Sequence, residues 1–161
     1  MRWLATQLMP GDTVSFRGPL GGYSFDLFSS DCTSIVMLAG GVGISPMIQI
    51  VRAMLNTDAP RDMYLVWGAV KSSQLVYRSM LDQRAADASN RLHVTYVLEH
   101  PPADAKWCKV GVITDSILRE CIPPAGPGVR IVMCGPPVMC DVMKKTLTRM
   151  GYPQDIIFSF L

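Results

Sequence analysis

Nothing in this chain stays apolar for the ~18 consecutive residues that a membrane-crossing helix needs. Charge is sparse. Asp, Glu, Lys and Arg make up 17% of 161 residues, the formal net charge is +2, and the basic residues are scattered. Nucleic-acid binding would need them gathered on one face, so no nucleic-acid partner is expected. Histidine occurs only at His93 and His100, too rarely for a histidine-rich metal centre. The five cysteines (Cys32, Cys108, Cys121, Cys134 and Cys140) are odd in number, and no pair has C-x-x-C spacing. That argues against a zinc site and against a disulfide framework, and no metal is expected. Reduced thiols fit a cytoplasmic setting, on the cytosolic face of a membrane if an anchor lies upstream. The opening MRWLATQLMPGD lacks the apolar core and small-residue cleavage site of a signal peptide. No internal repeat or low-complexity tract occurs.

What the chain does have is apolar residues, 49% of the total, in short runs. Five runs rich in Val, Ile, Met and Leu fall at residues 34–39, 63–68, 92–98, 129–134 and 156–160. They show little in–out alternation, which is the habit of parallel strands covered on both faces. Helical spacing falls between them, at 46–56, 73–88, 114–121 and 137–150. In the last of these Val138, Val142, Met143, Leu147 and Met150 recur near the helical period. Strand–helix alternation predicts a doubly wound α/β fold with a five-stranded parallel sheet, ordered 3-2-1-4-5. Residues 33–161 form that domain. Residues 1–32 read differently: a short helix at 3–9, strands at 13–17 and 23–28, and a glycine turn at 18–22. Two strands and a helical turn cannot bury a core alone, so this segment reads as the end of an antiparallel β domain.

The first strand runs into Gly40-Gly41-Val42-Gly43-Ile44-Ser45-Pro46. A helix start leaves backbone N–H groups unpaired and carries partial positive charge. Glycines would let a pyrophosphate approach that backbone. Ser45 suits the N-cap and Pro46 the first helical position. The plain alternative is a tight strand–helix turn and nothing more. The spacing also departs from G-x-G-x-x-G, because Pro46 stands where the last glycine would be. A second loop, Cys134-Gly135-Pro136-Pro137, repeats the logic after the fourth strand. In the predicted order the first and fourth strands are neighbours, so both loops would flank the switch point where open α/β sheets bind ligands.

At Gly-Gly-Val-Gly-Ile-Ser-Pro-Met (40–47) and Cys-Gly-Pro-Pro-Val-Met (134–139) the sequence resembles the ferredoxin–NADP reductase superfamily, within it the NADH–cytochrome b5 reductase and nitrate reductase branch. Residues 11–21, 96–102 and 158–160 support the likeness, which covers nearly the whole chain. The resemblance implies a two-domain flavoenzyme: a β-barrel holds FAD, the α/β domain holds NADH in preference to NADPH, and a haem protein such as cytochrome b5 accepts electrons. Residues 1–32 would be the end of the flavin domain. No Arg-x-Tyr-(Ser/Thr) stretch occurs in this chain, and its one Gly-x-x-Ser spacing, Gly21–Ser24, falls later than where the resemblance places the family's pyrophosphate-binding flavin motif. A separate flavin domain or flavin-bearing subunit is therefore expected. The alternative is a non-catalytic nucleotide-binding or electron-transfer module without its own flavin.

Roles follow from the resemblance residue by residue. Gly40, Gly41, Val42, Gly43, Ser45 and Pro46 form the pyrophosphate loop, with Val42 where many relatives have threonine near the flavin. Cys134 orients the nicotinamide as the catalytic residue, although a buried structural thiol is the alternative. Gly135 and Pro136 floor the nicotinamide ribose. Met139 either packs near the dinucleotide or belongs to the core. Glu99 would accept from the adenosine ribose and repel a 2′-phosphate. Lys71 and Arg78 carry the opposite cue, since either could welcome that phosphate. Trp107 either packs its loop over the crevice or belongs to the core.

Overall fold

The computed structural model describes residues 6–15, 17, 27, 29–57, 61–88 and 91–160. Six strands form one parallel sheet: β1 (Ser34–Gly40), β2 (Asp62–Lys71), β3 (Leu92–His100), β4 (Lys109–Val110), β5 (Val129–Cys134) and β6 (Ile157–Phe160), in the order β4-β3-β2-β1-β5-β6. Four helices connect them: α1 (Ile44–Leu55), α2 (Arg78–Asp87), α3 (Asp115–Cys121) and α4 (Pro137–Arg149). The five strands expected from sequence stand in the expected order. The sixth, β4, adds an edge beside β3. Its two residues, Lys109 and Val110, are both exposed, so no apolar run announces it.

β1 is central and solvent-free from Ile35 to Ala39. Its alternate residues face two separate cores. Ile35, Met37 and Ala39 pack with Met47, Val51 and Met54 of α1 and Leu81 of α2. Val36 and Leu38 pack with Leu118 of α3 and with Met143 and Leu147 of α4. A strand covered on both faces has no position that tolerates a polar residue, which is why its sequence runs apolar without a period of two.

Three helix starts differ from expectation. α1 begins at Ile44 rather than Pro46, and its N-cap is Gly43. Ser45 therefore sits inside the first turn, and its hydroxyl donates to the Val42 carbonyl at 3.0 Å instead of capping amides. Pro46 is the third helical residue, where a missing N–H still costs no intrahelical bond. The helix expected at 73–88 begins only at Arg78, because Ser72–Gln74 form a 3₁₀ turn. The Gln74 Oε1 accepts from the Val70 and Lys71 amides at 2.9 and 3.1 Å and holds that turn closed. Thr114 is the N-cap of α3, its hydroxyl accepting from the Ile117 amide. The helix expected at 3–9, the strands at 13–17 and 23–28 and the turn at 18–22 lie wholly or partly outside the described residues. Asp31 is pinned to the start of the sheet by Arg130 at 2.6 Å. Among the described residues no helix is long and apolar enough to cross a membrane.

Burial pushes the Tyr96 phenol well above its usual range. The hydrogen bond that it donates to Asp82 at 2.7 Å adds to the effect. Burial also raises Tyr64 and Tyr152. The folded state thus holds these protons at pH values where the unfolded chain releases them. Their contribution to stability is complete below the unfolded value of about 10 and falls as pH climbs past it. Urea unfolding is expected to give a constant contribution from these groups up to about pH 10 and a loss above it. Tyr96→Phe is expected to flatten that alkaline decline.

Candidate functional site

β1 and β5 are hydrogen-bonded neighbours, with Ala39 paired to Cys134, so the two glycine loops leave the sheet side by side. They meet backbone to backbone. A Cβ on Gly43 would overlap the Cys134 carbonyl and lie 2.9 Å from the Gly135 nitrogen. A Cβ on Gly40 would overlap the Met139 sulfur and lie 2.9 Å from Pro136 Cδ. A Cβ on Gly135 would come within 3.1 Å of Gly40 Cα. Loop–loop packing by itself therefore excludes a side chain at Gly43 and crowds one at Gly40 and Gly135. Gly41 alone faces open space, and its φ of +53° lies in the left-handed region.

A cleft of about 450 Å³ opens beside these loops, at the carboxyl ends of the strands. Gly40, Gly41, Pro136 and Met139 line one end. Gln74 and Glu99 also line it, from the turn after β2 and from β3. The wall between is aliphatic: Val112, Ile113, Val138 and Val142. Val138 and Val142 are 75% and 50% exposed. They recur near the helical period but face the cleft, and Cys140, Met143 and Leu147 make the buried stripe of α4. A larger basin, about 670 Å³, lies near the opposite ends of β1 and β5 among Asp31, Pro127, Arg130 and Pro153. Two of its three charged residues, Asp31 and Arg130, pair with each other, and open α/β sheets bind ligands at strand carboxyl ends.

The expected site residues divide into three groups. Gly40, Gly41, Glu99, Pro136 and Met139 line the cleft. Gly43 and Gly135 shape it from behind, through the contacts just described. Val42 projects from the loop tip, 90% exposed. Ser45 braces the loop through Val42, and Pro46 sits half-buried in the first turn of α1 without lining the cleft. Cys134 ends β5 half-buried, paired with Phe160 on one side and Ala39 on the other, also outside the lining. Burial, then the neighbouring Cys140, raises its thiol above the ordinary range. The group is a neutral thiol at physiological pH, suited to packing and orientation and not to nucleophilic attack.

Arg78 is a correction. Its guanidinium pairs with Asp82 at 3.3 Å and stacks 3.4 Å from the centre of the Trp107 ring. It is therefore committed away from the cleft, and Lys71 does not line the cleft either. Of the three residues weighed for contact with a 2′-phosphate, only Glu99 lines the cleft. Trp107 packs edge-on against Tyr96 as part of the core margin. His93 stacks on Tyr64, and His100 ends β3. Sequence reasoning missed Trp67, Gln74, Val112 and Ile113. Only the Val138–Val142 pair carried a signal, two apolar residues one helical turn apart on the side of α4 away from its core.

Known proteins bear directly on this arrangement. Residues 37–145 match the family model described as the oxidoreductase NAD-binding domain. The chain belongs to that family. As an NAD-binding domain it is 34% identical to NADH-cytochrome b5 reductase 1 of Neosartorya fischeri, over 91% of this chain and 48% of that protein. It is 31% identical to human NADH-cytochrome b5 reductase 1, over 95% of this chain and 55% of the relative. The cytochrome b5 reductase domain of Ulva prolifera nitrate reductase superposes with a TM-score of 0.76 at 25% identity, covering 80% of this chain and 49% of that one. The chain spans about half the length of the curated relatives it matches.

The loop contacts separate two glycines that look alike in sequence. Gly43→Ala is expected to cost about 3 kcal/mol or more, because neither backbone can withdraw from the overlap. Gly41→Ala, with open space but a left-handed φ, is expected to cost about 1–2 kcal/mol. Urea unfolding of the two variants measures both.

Proposed function

We propose that this domain is the pyridine-nucleotide half of an NADH-dependent flavoprotein oxidoreductase of the cytochrome b5 reductase kind. The observation that carries the reading is the pairing of two glycine loops at adjacent strand tips, opening on an apolar cleft with a carboxylate in its lining. A dinucleotide has the matching sequence of chemistries: a ribose diol for Glu99, a planar base for the aliphatic wall, a diphosphate for the exposed amides of the first loop, and a nicotinamide for the end nearest Cys134. NADH, when bound, supplies a hydride, which FAD accepts and passes on as single electrons. The resemblance assigns FAD to an adjoining β-barrel domain and the electrons to a haem protein such as cytochrome b5.

The chain's own residues contribute position. Gly41, with no side chain and nothing in front of it, lets the diphosphate reach backbone N–H groups at the start of α1. Pro136 and Met139 floor the cleft below the nicotinamide ribose. Glu99 selects against a 2′-phosphate by like-charge repulsion in a cleft whose lining, among the described residues, holds no lysine or arginine. Cys134, at the end of β5, holds the nicotinamide end in register with the flavin, which must come within roughly 3.5 Å for transfer.

Fluorescence titration of the protein is expected to show NADH binding at least tenfold tighter than NADPH. Glu99→Gln is expected to narrow that gap by weakening NADH and admitting NADPH. A wild-type protein with no affinity for NADH overturns the reading. Turnover tests Cys134 separately, with the chain joined to a cytochrome b5 reductase flavin domain. Cys134→Ala is expected to lower kcat by about tenfold or more while the urea midpoint moves little. Unchanged kcat removes Cys134 from the transfer step.

A further inference from the structure

Trp67 is fully buried in β2, yet its indole N–H reaches out of the core to donate to the Gly41 carbonyl at 3.0 Å. A buried indole usually finds an acceptor, so the bond alone is unremarkable chemistry. Its acceptor is what matters. Among the loop glycines Gly40, Gly41, Gly43 and Gly135, only Gly41 has a left-handed backbone, and its carbonyl belongs to the peptide that joins it to Val42. A trans peptide is planar, with C=O and N–H on opposite sides. Drawing the Gly41 carbonyl inward to Trp67 therefore turns the Val42 N–H outward. The Ile44 amide also donates to the Gly41 carbonyl, so that oxygen is held from two directions. Ser45 does the same one peptide later, its hydroxyl holding the Val42 carbonyl at 3.0 Å.

We propose that Trp67 is a positioning residue for dinucleotide binding: its indole N–H fixes the Gly41–Val42 peptide so that the Val42 amide faces the diphosphate. The inference rests on the reading of the cleft given above. Without the bond, Gly41 can adopt other backbone states, because glycine populates both signs of φ with similar ease. The peptide could then turn its carbonyl oxygen toward the phosphates, where it repels them. The indole is itself held in place. Its ring lies against Tyr96 with centroids 6.3 Å apart, and the Tyr96 hydroxyl is tied to Asp82. Ordering of the loop thus comes from the opposite side of the sheet, through a residue that never touches the ligand.

The test replaces the N–H and keeps the shape. Trp67→Phe retains an aromatic ring against Tyr96. Incorporation of 3-benzothienylalanine at position 67 retains the full bicyclic outline with sulfur in place of N–H, and covers the case in which the phenylalanine variant folds poorly. Calorimetric titration with ADP-ribose, and shift titration with adenosine, which lacks phosphate, are run on all three proteins. Expected is a loss of about tenfold in ADP-ribose affinity with adenosine binding unchanged. ADP-ribose affinity within twofold of wild type in the benzothienyl protein overturns the proposal. Equal weakening of both ligands also overturns it, since the damage is then general. If wild type itself fails to bind ADP-ribose, the dinucleotide reading fails and this inference falls with it.

Discussion

The approach of one glycine loop to another governs this structure. At the tips of β1 and β5 two chains pass so closely that the Gly43 side chain is replaced by the Cys134 carbonyl, and that of Gly40 by Met139 and Pro136. Such contact is possible only between adjacent parallel strands whose loops leave in the same direction. It fixes the separation of the two helix starts that follow, α1 and α4, and so fixes one end of the cleft. A methyl group at either site would push the loops apart and open that end of the cleft.

The rest of the site is built outward from that junction, with different chemistry on each side of the sheet. On the face of α3 and α4 lies the cleft, aliphatic along its wall, with Glu99 in its lining. On the face of α1 and α2 lies the bracing: Trp67 bonded to Gly41, Tyr96 beside Trp67, Trp107 against Tyr96, and Arg78 over Trp107. The first face carries the cleft and the second braces the loop at its end. Cys134 stands between them, a neutral thiol in a strand end packed by β1 and β6. In the proposed reading reactivity is not asked of it, because the hard chemistry belongs to the cofactors.

Much of this was legible in the sequence, for a physical reason. Strands buried on both faces must be apolar throughout, and glycine at strand ends marks close backbone approach, so the order of five strands and both loops could be read from the sequence, while the exposed two-residue edge strand β4 could not. What escaped depended on facts that exist only in three dimensions. Gly40, Gly41 and Gly43 are chemically identical, yet two of them serve packing between loops and one serves an open face. Ser45 has the chemistry of a cap, but the 3₁₀ turn before it carries the helix start two residues upstream. Arg78 is a cation at a plausible distance in sequence, but Asp82 and Trp107 claim it first. Val138 and Val142 keep helical spacing without being core. Trp67 hid in an apolar run, since nothing in sequence says where a buried indole will aim its N–H.

The account stands on one cleft being formed by both loops together. Hydrogen–deuterium exchange of the protein with and without NADH tests that directly, peptide by peptide. The account predicts slowed exchange at residues 41–44 and 135–139 together, with residues near Glu99 following at the same NADH concentration. Protection confined to one loop, or appearing instead around Asp31 and Arg130 at the far end of the sheet, would contradict it.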